Sequence, residues 1–272
     1  MTVPDPGRRR MLGLVGAAIV AATVGACRTP PGGIDGNGAT APTTSGSPPD
    51  TTTGTGAATS AATTGTIEPP PTTTSPQPAL VTVIGRQGWQ ARPPGAGLEP
   101  HQVDRVTVHH TAALLEDNAD APGHIRGHQA FHIDTRGWPD LAYHFIVDAA
   151  GNVYEGRDPA MRGDTATDYD PAGHLLVCCE GDFDRQPLPD PQRHSLEAML
   201  AWGVSTHGLA VDTIAGHGDY ASTNCPGAAL RDRLDDGTLH QSVTDLLGRV
   251  PLALHVLTGD AAVKAVASIE GA

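Results

Sequence analysis

From Arg28 to about Gln77 the chain is built almost wholly from Thr, Pro, Gly, Ser and Ala, and this tract confines any folded core to the residues C-terminal to it. With hardly an aromatic or large aliphatic side chain, such a stretch cannot bury enough apolar surface to offset the entropy lost on ordering it. It is expected to act as a tether. Roughly 50 residues in this regime have a typical end-to-end distance of about 40 Å, with more than ~100 Å available on extension. Its Ser/Thr-Pro content also admits O-glycosylation. Leu80 to Ala272, by contrast, is ordinary globular sequence of single-domain size.

Ahead of the tether, Met1 to Ala26 has the three parts of an export signal. Arg8, Arg9 and Arg10 supply positive charge, and Met11 to Val24 is apolar and rich in Ala, Gly and Val. Val24-Gly25-Ala26-Cys27 then places small residues directly before a cysteine, which resembles a bacterial lipobox with Cys27 as the lipidated first mature residue. The apolar run is shorter than the roughly 20 residues a membrane-spanning helix needs. The arginines also resemble a twin-arginine signal loosely, with Gly7 before them. The expected location is the outer face of the cytoplasmic membrane, held by lipid, with simple secretion as the alternative.

Charge narrows the partners. Without residues 1–26, which carry three Arg and one Asp, the chain has 14 Lys+Arg against 29 Asp+Glu, a net of −15. A domain this acidic is poorly suited to nucleic acid or to anionic lipid. Beyond Cys27 the cysteines are Cys178, Cys179 and Cys225. The first two are adjacent in an apolar run and are expected to be small buried residues on opposite faces of one strand. Cys225 is then an odd cysteine in an oxidising compartment, a position that calls for a reason.

Strands and helices alternate through the folded part. Strands are expected over Arg105–His109, Ala142–Val147, Val153–Glu155, His174–Glu180 and Val211–Ala215, the second and third forming a hairpin about Ala150-Gly151-Asn152. Helices are expected over Pro122–Ile133, Pro191–His207 (ended by Gly208), Pro226–Leu234 and Val243–Val250. The pattern predicts an α/β domain with a mixed central β-sheet flanked by helices. Beyond Pro251 the sequence places no element, and residues 241–272 are read as a helical tail.

Of thirteen histidines, two stand out by context. His109 ends a strand, and His217 follows a short strand and Gly216. Cys225 lies eight positions later, in a loop between Asn224 and Pro226-Gly227. A thiolate and two imidazoles make a good tetrahedral zinc set with one position open, and coordination accounts for the odd cysteine.

Five ordered blocks carry a family resemblance over about residues 82–235: Arg86-Gln87-Gly88-Trp89-Gln90-Ala91-Arg92-Pro93, Val108-His109-His110-Thr111-Ala112, Gly137-Trp138-Pro139-Asp140-Leu141-Ala142-Tyr143-His144-Phe145, Gly216-His217-Gly218-Asp219 and Thr223-Asn224-Cys225-Pro226-Gly227. Together they resemble the peptidoglycan recognition proteins and type 2 N-acetylmuramoyl-L-alanine amidases. The resemblance implies a folded domain of that kind over residues 80–240, with 1–26 as lipoprotein signal peptide and 27–79 as lipidated cysteine and disordered linker. It implies zinc held by His109, His217 and Cys225. Tyr143 matches the tyrosine beside the activated water, and Thr223 stands where relatives have Lys or Thr facing the reacting carbonyl. His110 is expected to pack beneath the site, and His132 and His144 to be core or groove residues. Asp219 either supports a ligand or caps a turn.

The implied activity is zinc-dependent cleavage of the bond between N-acetylmuramic acid and L-alanine, by a monomer whose partners are peptidoglycan and, through its lipid, the membrane. A non-catalytic peptidoglycan-binding lipoprotein is the alternative, because the family includes binders; loss of the cysteine ligand typically marks them, and Cys225 is retained. One segment departs from the family pattern. Where relatives carry Gly-x-His with Asn soon after, this chain reads Gly163-Asp164-Thr165 and then Asp168-Tyr169-Asp170.

Overall fold

A computed structural model describes residues 79–249 and 251–271. The signal peptide, Cys27 and the linker lie outside the described residues, except that Ala79 opens the first strand. Seven strands form one sheet: β1 (Ala79–Ile84), β2 (Arg105–His110), β3 (Phe145–Val147), β4 (Val153–Glu155), β5 (His174–Cys179), β6 (Ile214–Gly216) and β7 (Leu252–Leu257). Their spatial order is β6-β2-β5-β3-β4-β1-β7. The first four in that order run parallel, β3 turns back antiparallel into β4, and β1 and β7 follow β4. The sheet is mixed, as expected, and consists of two parallel blocks of opposite direction joined at the hairpin. Buried Asp148 fixes that turn, accepting hydrogen bonds from the Asn152 amide at 2.8 Å and the Tyr154 hydroxyl at 2.8 Å.

The period-two alternation of strand side chains decides which layer each one enters. Val106, Val108, Val147, Val177 and Cys179 face helix α2 (Asp190–His207), where Leu196, Met199, Leu200 and Val204 meet them. Helices α3 (Ala228–Asp235) and α4 (Thr238–Leu247) complete that layer through Leu230, Leu234, Leu239 and Val243. Ile84, Ile146, Tyr154 and Cys178 face the other way, against Ile125 of α1 (Ala121–Ala130) and Ala262 and Val266 of α5 (Gly259–Ile269). Cys178 and Cys179 therefore belong to different cores, both fully buried and both free thiols. Helix α2 ends at Gly208, whose φ of 64° allows its amide to return to the Val204 carbonyl.

Four sequence expectations are corrected. The strand expected from Ala142 begins at Phe145, because the His144 side chain takes a backbone role: its Nδ1 accepts the Leu176 amide at 2.8 Å. Val211–Thr213 is a short 3₁₀ turn, leaving only Ile214–Gly216 as strand. Helix α1 stops at Ala130 and widens into a π-helical turn over Phe131–Thr135. The tail over 241–272 is not wholly helical, since β7 pairs with β1 along six residues, from Ala79↔Leu252 to Ile84↔Leu257.

Candidate metal centre

The site grows from two adjacent parallel strands. Val108 of β2 is the register partner of Gly216 of β6, so His109 and His217 come next, side by side. Their rings lie 4.6 Å apart, and both residues are buried. Ligands in open α/β sheets gather at the carboxyl ends of strands for this reason. Asp219 caps the turn that carries His217, accepting from the Gly216 amide at 2.7 Å and from Arg231 at 2.8 Å. Of its two expected roles, this is the turn cap.

The chain then returns. The Gly218 amide donates to the Cys225 carbonyl at 2.8 Å, closing a loop that sets the Cys225 Sγ 3.5 Å from His109 Nδ1. The Cys225 Sγ also accepts from the His110 amide at 3.4 Å. Gly227, at a φ of 88°, lets this loop press on β2: a Cβ there would meet His110 Nδ1 at 2.8 Å. The His110 ring turns to the other face, where it stacks on Phe183 and accepts its amide at 3.4 Å.

These residues fit a metal. The donor atoms of His109, His217 and Cys225 lie within 4.8 Å of one another. Tetrahedral zinc, with bonds of about 2.1 Å to nitrogen and 2.3 Å to sulfur, sets its donors roughly 3.5 Å apart. His109 Nε2 is buried without a hydrogen-bond partner, so neither ring nitrogen of His109 is committed to a protein oxygen. Burial pushes the pKa of His109 well down, with His217 adding to the effect, and burial lowers His217 to about 4. Both imidazoles are neutral at physiological pH, the state that ligates metal.

Around the triad, Tyr143 precedes β3 and lies with its ring 5.4 Å from that of His109. Burial raises its pKa well above 10, and its hydroxyl meets the Cys178 thiol. The Thr223 hydroxyl accepts from the Cys225 amide at 3.2 Å. His132 is buried between Trp138 and Tyr143, at ring separations of 4.8 and 5.8 Å. His144 is fully buried, with both ring nitrogens bonded to backbone.

Other parts of the motif blocks are structural. Arg86 pairs with buried Asp140 at 2.9 Å, tying the first block to the third, and the Trp89 indole donates to the Glu155 carbonyl of β4 at 2.9 Å. Sequence reasoning missed three neighbours of the triad. Thr167 bonds His217 Nε2 at 2.7 Å, Tyr169 lays its ring 5.1 Å from that of His217, and Cys178 sits beneath Tyr143. The departure at Thr165 marks the segment that holds the first two; no spacing pointed to their contact with His217.

Comparison with known proteins agrees with this geometry. A family model described as N-acetylmuramoyl-L-alanine amidase matches residues 99–228. Peptidoglycan-recognition protein SD of Drosophila simulans is 29% identical over 157 residues, covering 55% of this chain and 82% of that protein. Peptidoglycan-recognition protein SC2 of Drosophila melanogaster is 29% identical over 150 residues, covering 54% of this chain and 81% of that protein. Among solved structures, peptidoglycan recognition protein LE in complex with tracheal cytotoxin superimposes with a TM-score of 0.52 at 31% identity, covering 57% of this chain and 92% of that one. The chain belongs to the family of peptidoglycan recognition proteins and N-acetylmuramoyl-L-alanine amidases.

Proposed function

We propose that this protein is a zinc amidase of the cell envelope, hydrolysing the amide between N-acetylmuramic acid and L-alanine in peptidoglycan. The observation that carries the reading is the conjunction of the His109–His217–Cys225 set with Tyr143, whose ring stands 5.4 Å from His109. Zinc bound there supplies a Lewis acid for the amide carbonyl and brings water toward hydroxide near neutral pH. The protein's own groups do the rest. His109 and His217 are held neutral by burial, so both are available as ligands without first losing a proton. Tyr143 keeps its proton at any physiological pH, because burial raises its pKa. It therefore acts as a hydrogen-bond donor to the oxygen on which charge develops, and not as a base. Thr223 assists from the Cys225 loop.

The substrate class is supported by a relative: recognition protein LE was solved with tracheal cytotoxin, a monomeric diaminopimelic acid-type peptidoglycan. We further propose that Cys27 carries lipid and that residues 28–77 tether the domain above the membrane, so that it works as a monomer on wall material within the tether's reach. Labelling with a fatty-acid analogue tests this; an unlabelled wild-type protein ends it.

A second reading, a binding module without turnover, is favoured by the recognition proteins among the relatives and by the departure at Thr165. Mass spectrometry of muropeptides incubated with the full-length protein, with and without chelator, separates the two. The amidase releases stem peptides with a free L-alanine amino terminus and loses that activity to chelator. Zinc-loaded protein that binds muropeptides yet never liberates that terminus is a binder.

A further inference from the structure

The segment that departs from the family pattern lies against a metal ligand. Thr167 Oγ1 is 2.7 Å from His217 Nε2. Thr165 Oγ1 lies 2.8 Å from Thr167 Oγ1 and accepts the Thr167 amide at 3.2 Å. Two residues further on, the Tyr169 ring lies 5.1 Å from the His217 ring. His217 is thus met at its Nε2 edge by a hydroxyl and flanked by a tilted aromatic ring.

A histidine that gives one nitrogen to a metal needs a partner for the other, and that partner sets both tautomer and ring orientation. With Nε2 engaged by Thr167, the nitrogen of His217 left for metal is Nδ1. Nε2 then carries the proton and donates it to Thr167 Oγ1. The Thr167 hydroxyl proton is directed to Thr165 Oγ1, which already accepts the Thr167 amide. The His217 Nε2 proton and the Thr167 hydroxyl proton thus each meet an oxygen acceptor.

We propose that Thr167 is a positioning residue for the metal centre: its hydroxyl fixes His217 as the Nε2-protonated tautomer, with Thr165 orienting that hydroxyl. The inference rests on the zinc reading above and adds the group that holds one of its ligands. It also gives Thr165, where the family pattern has a histidine, a role of its own.

The test is zinc affinity of the full-length protein by competition with a chromophoric chelator, alongside melting of the metal-free form. Thr167→Val removes the hydroxyl at nearly constant volume and should weaken zinc binding by about 10–100-fold. Thr167→Ser should restore affinity to within about threefold of wild type, and Thr165→Val should fall between the two. A purely structural role would lower the metal-free melting temperature and leave affinity alone, which would overturn the proposal. Nitrogen NMR of the zinc-loaded wild type decides without any variant, should Thr167→Val fail to fold. The expected pattern for His217 is a protonated Nε2 and a metal-bound Nδ1; the reverse overturns the proposal. Wild-type protein that binds no zinc sinks the zinc reading itself, whereas wild-type binding with Thr167→Val unchanged sinks only the role of Thr167.

Discussion

His109 and His217 leave the ends of adjacent parallel strands with their rings 4.6 Å apart, although 108 positions separate them in sequence. The one-to-one register of β2 and β6 makes this placement independent of the long connection between them. Cys225 joins them through a loop closed on itself by the Gly218 to Cys225 backbone bond. Rigid elements thus hold two of the proposed ligands and a short closed loop holds the third.

That division of labour separates metal binding from turnover. On the proposed zinc-amidase function, Cys225→Ala removes a ligand outright and should abolish both stoichiometric zinc, measured by elemental analysis, and amidase activity. Tyr143→Phe should keep the metal, since only a hydroxyl beside Cys178 is lost. Its turnover should fall by about 10²-fold or more, the usual cost of removing one donor to a developing oxyanion. Muropeptide binding, measured by calorimetry, should change far less, because the hydroxyl matters most in the transition state.

Acid should destabilise the metal-free protein through its buried histidines. Burial lowers His144 and His132 to about 3, from the ordinary value of 6.5. Between pH 6.5 and about 3 the unfolded chain binds protons at these sites and the folded chain does not, so stability falls as pH falls. The melting temperature should therefore drop steadily from pH 7 to pH 4. His144→Gln, although less stable at pH 7, should show a shallower drop. A melting temperature that rises over this range would contradict the assignment.

Glu180 is a fully buried carboxylate held by two histidines of one helix, His124 at 3.0 Å and His128 at 2.9 Å. Burial opposes its ionisation, but the charge of His128 and the hydrogen bonds from both histidines outweigh this and hold its pKa below the usual range. The hydrogen bond to Glu180 likewise raises His124. Removing a partner leaves a buried charge under-compensated, so His128→Ala should cost about 3 kcal/mol in denaturant unfolding. Adding Glu180→Met to that variant should recover much of the loss, since a packed apolar side chain replaces the pair without the desolvation cost. Failure of the second substitution to recover stability would mean that the carboxylate is not the strained partner.

The C-terminal helix rests directly on the first motif block. A Cβ at Gly88 would meet the Ala262 carbonyl oxygen of α5 at 2.7 Å, a backbone atom that cannot swing aside. Gly88→Val should force α5 off the sheet at a cost of roughly 1–3 kcal/mol. Limited proteolysis should then cut between β7 and α5 in the variant and spare the wild type.

Much of the site is legible in the sequence because it is written locally. Alternation along β2 sends His109 and His110 to opposite faces whatever the rest of the chain does, and a cysteine eight positions after His217 asks for a metal on chemical grounds. Motif order suffices for the α/β class. The strand does not reach back to Ala142, and apolar alternation cannot reveal why: the His144 ring, and not a backbone carbonyl, accepts the Leu176 amide.

The residues that only the tertiary structure decided share one property: their partners are distant in sequence. Strand β7 exists as a strand because β1, more than 170 positions earlier, offers it an edge to pair with; Leu252–Leu257 by itself has no local reason to prefer strand to helix. Thr167 is an ordinary loop threonine until the fold carries His217 to within 2.7 Å of it. Residue type, period and spacing determine which groups can do chemistry and which face of an element they occupy. Hydrogen bonds and packing across the sheet determine which of them meet, because those contacts form only when segments far apart in the chain are brought together.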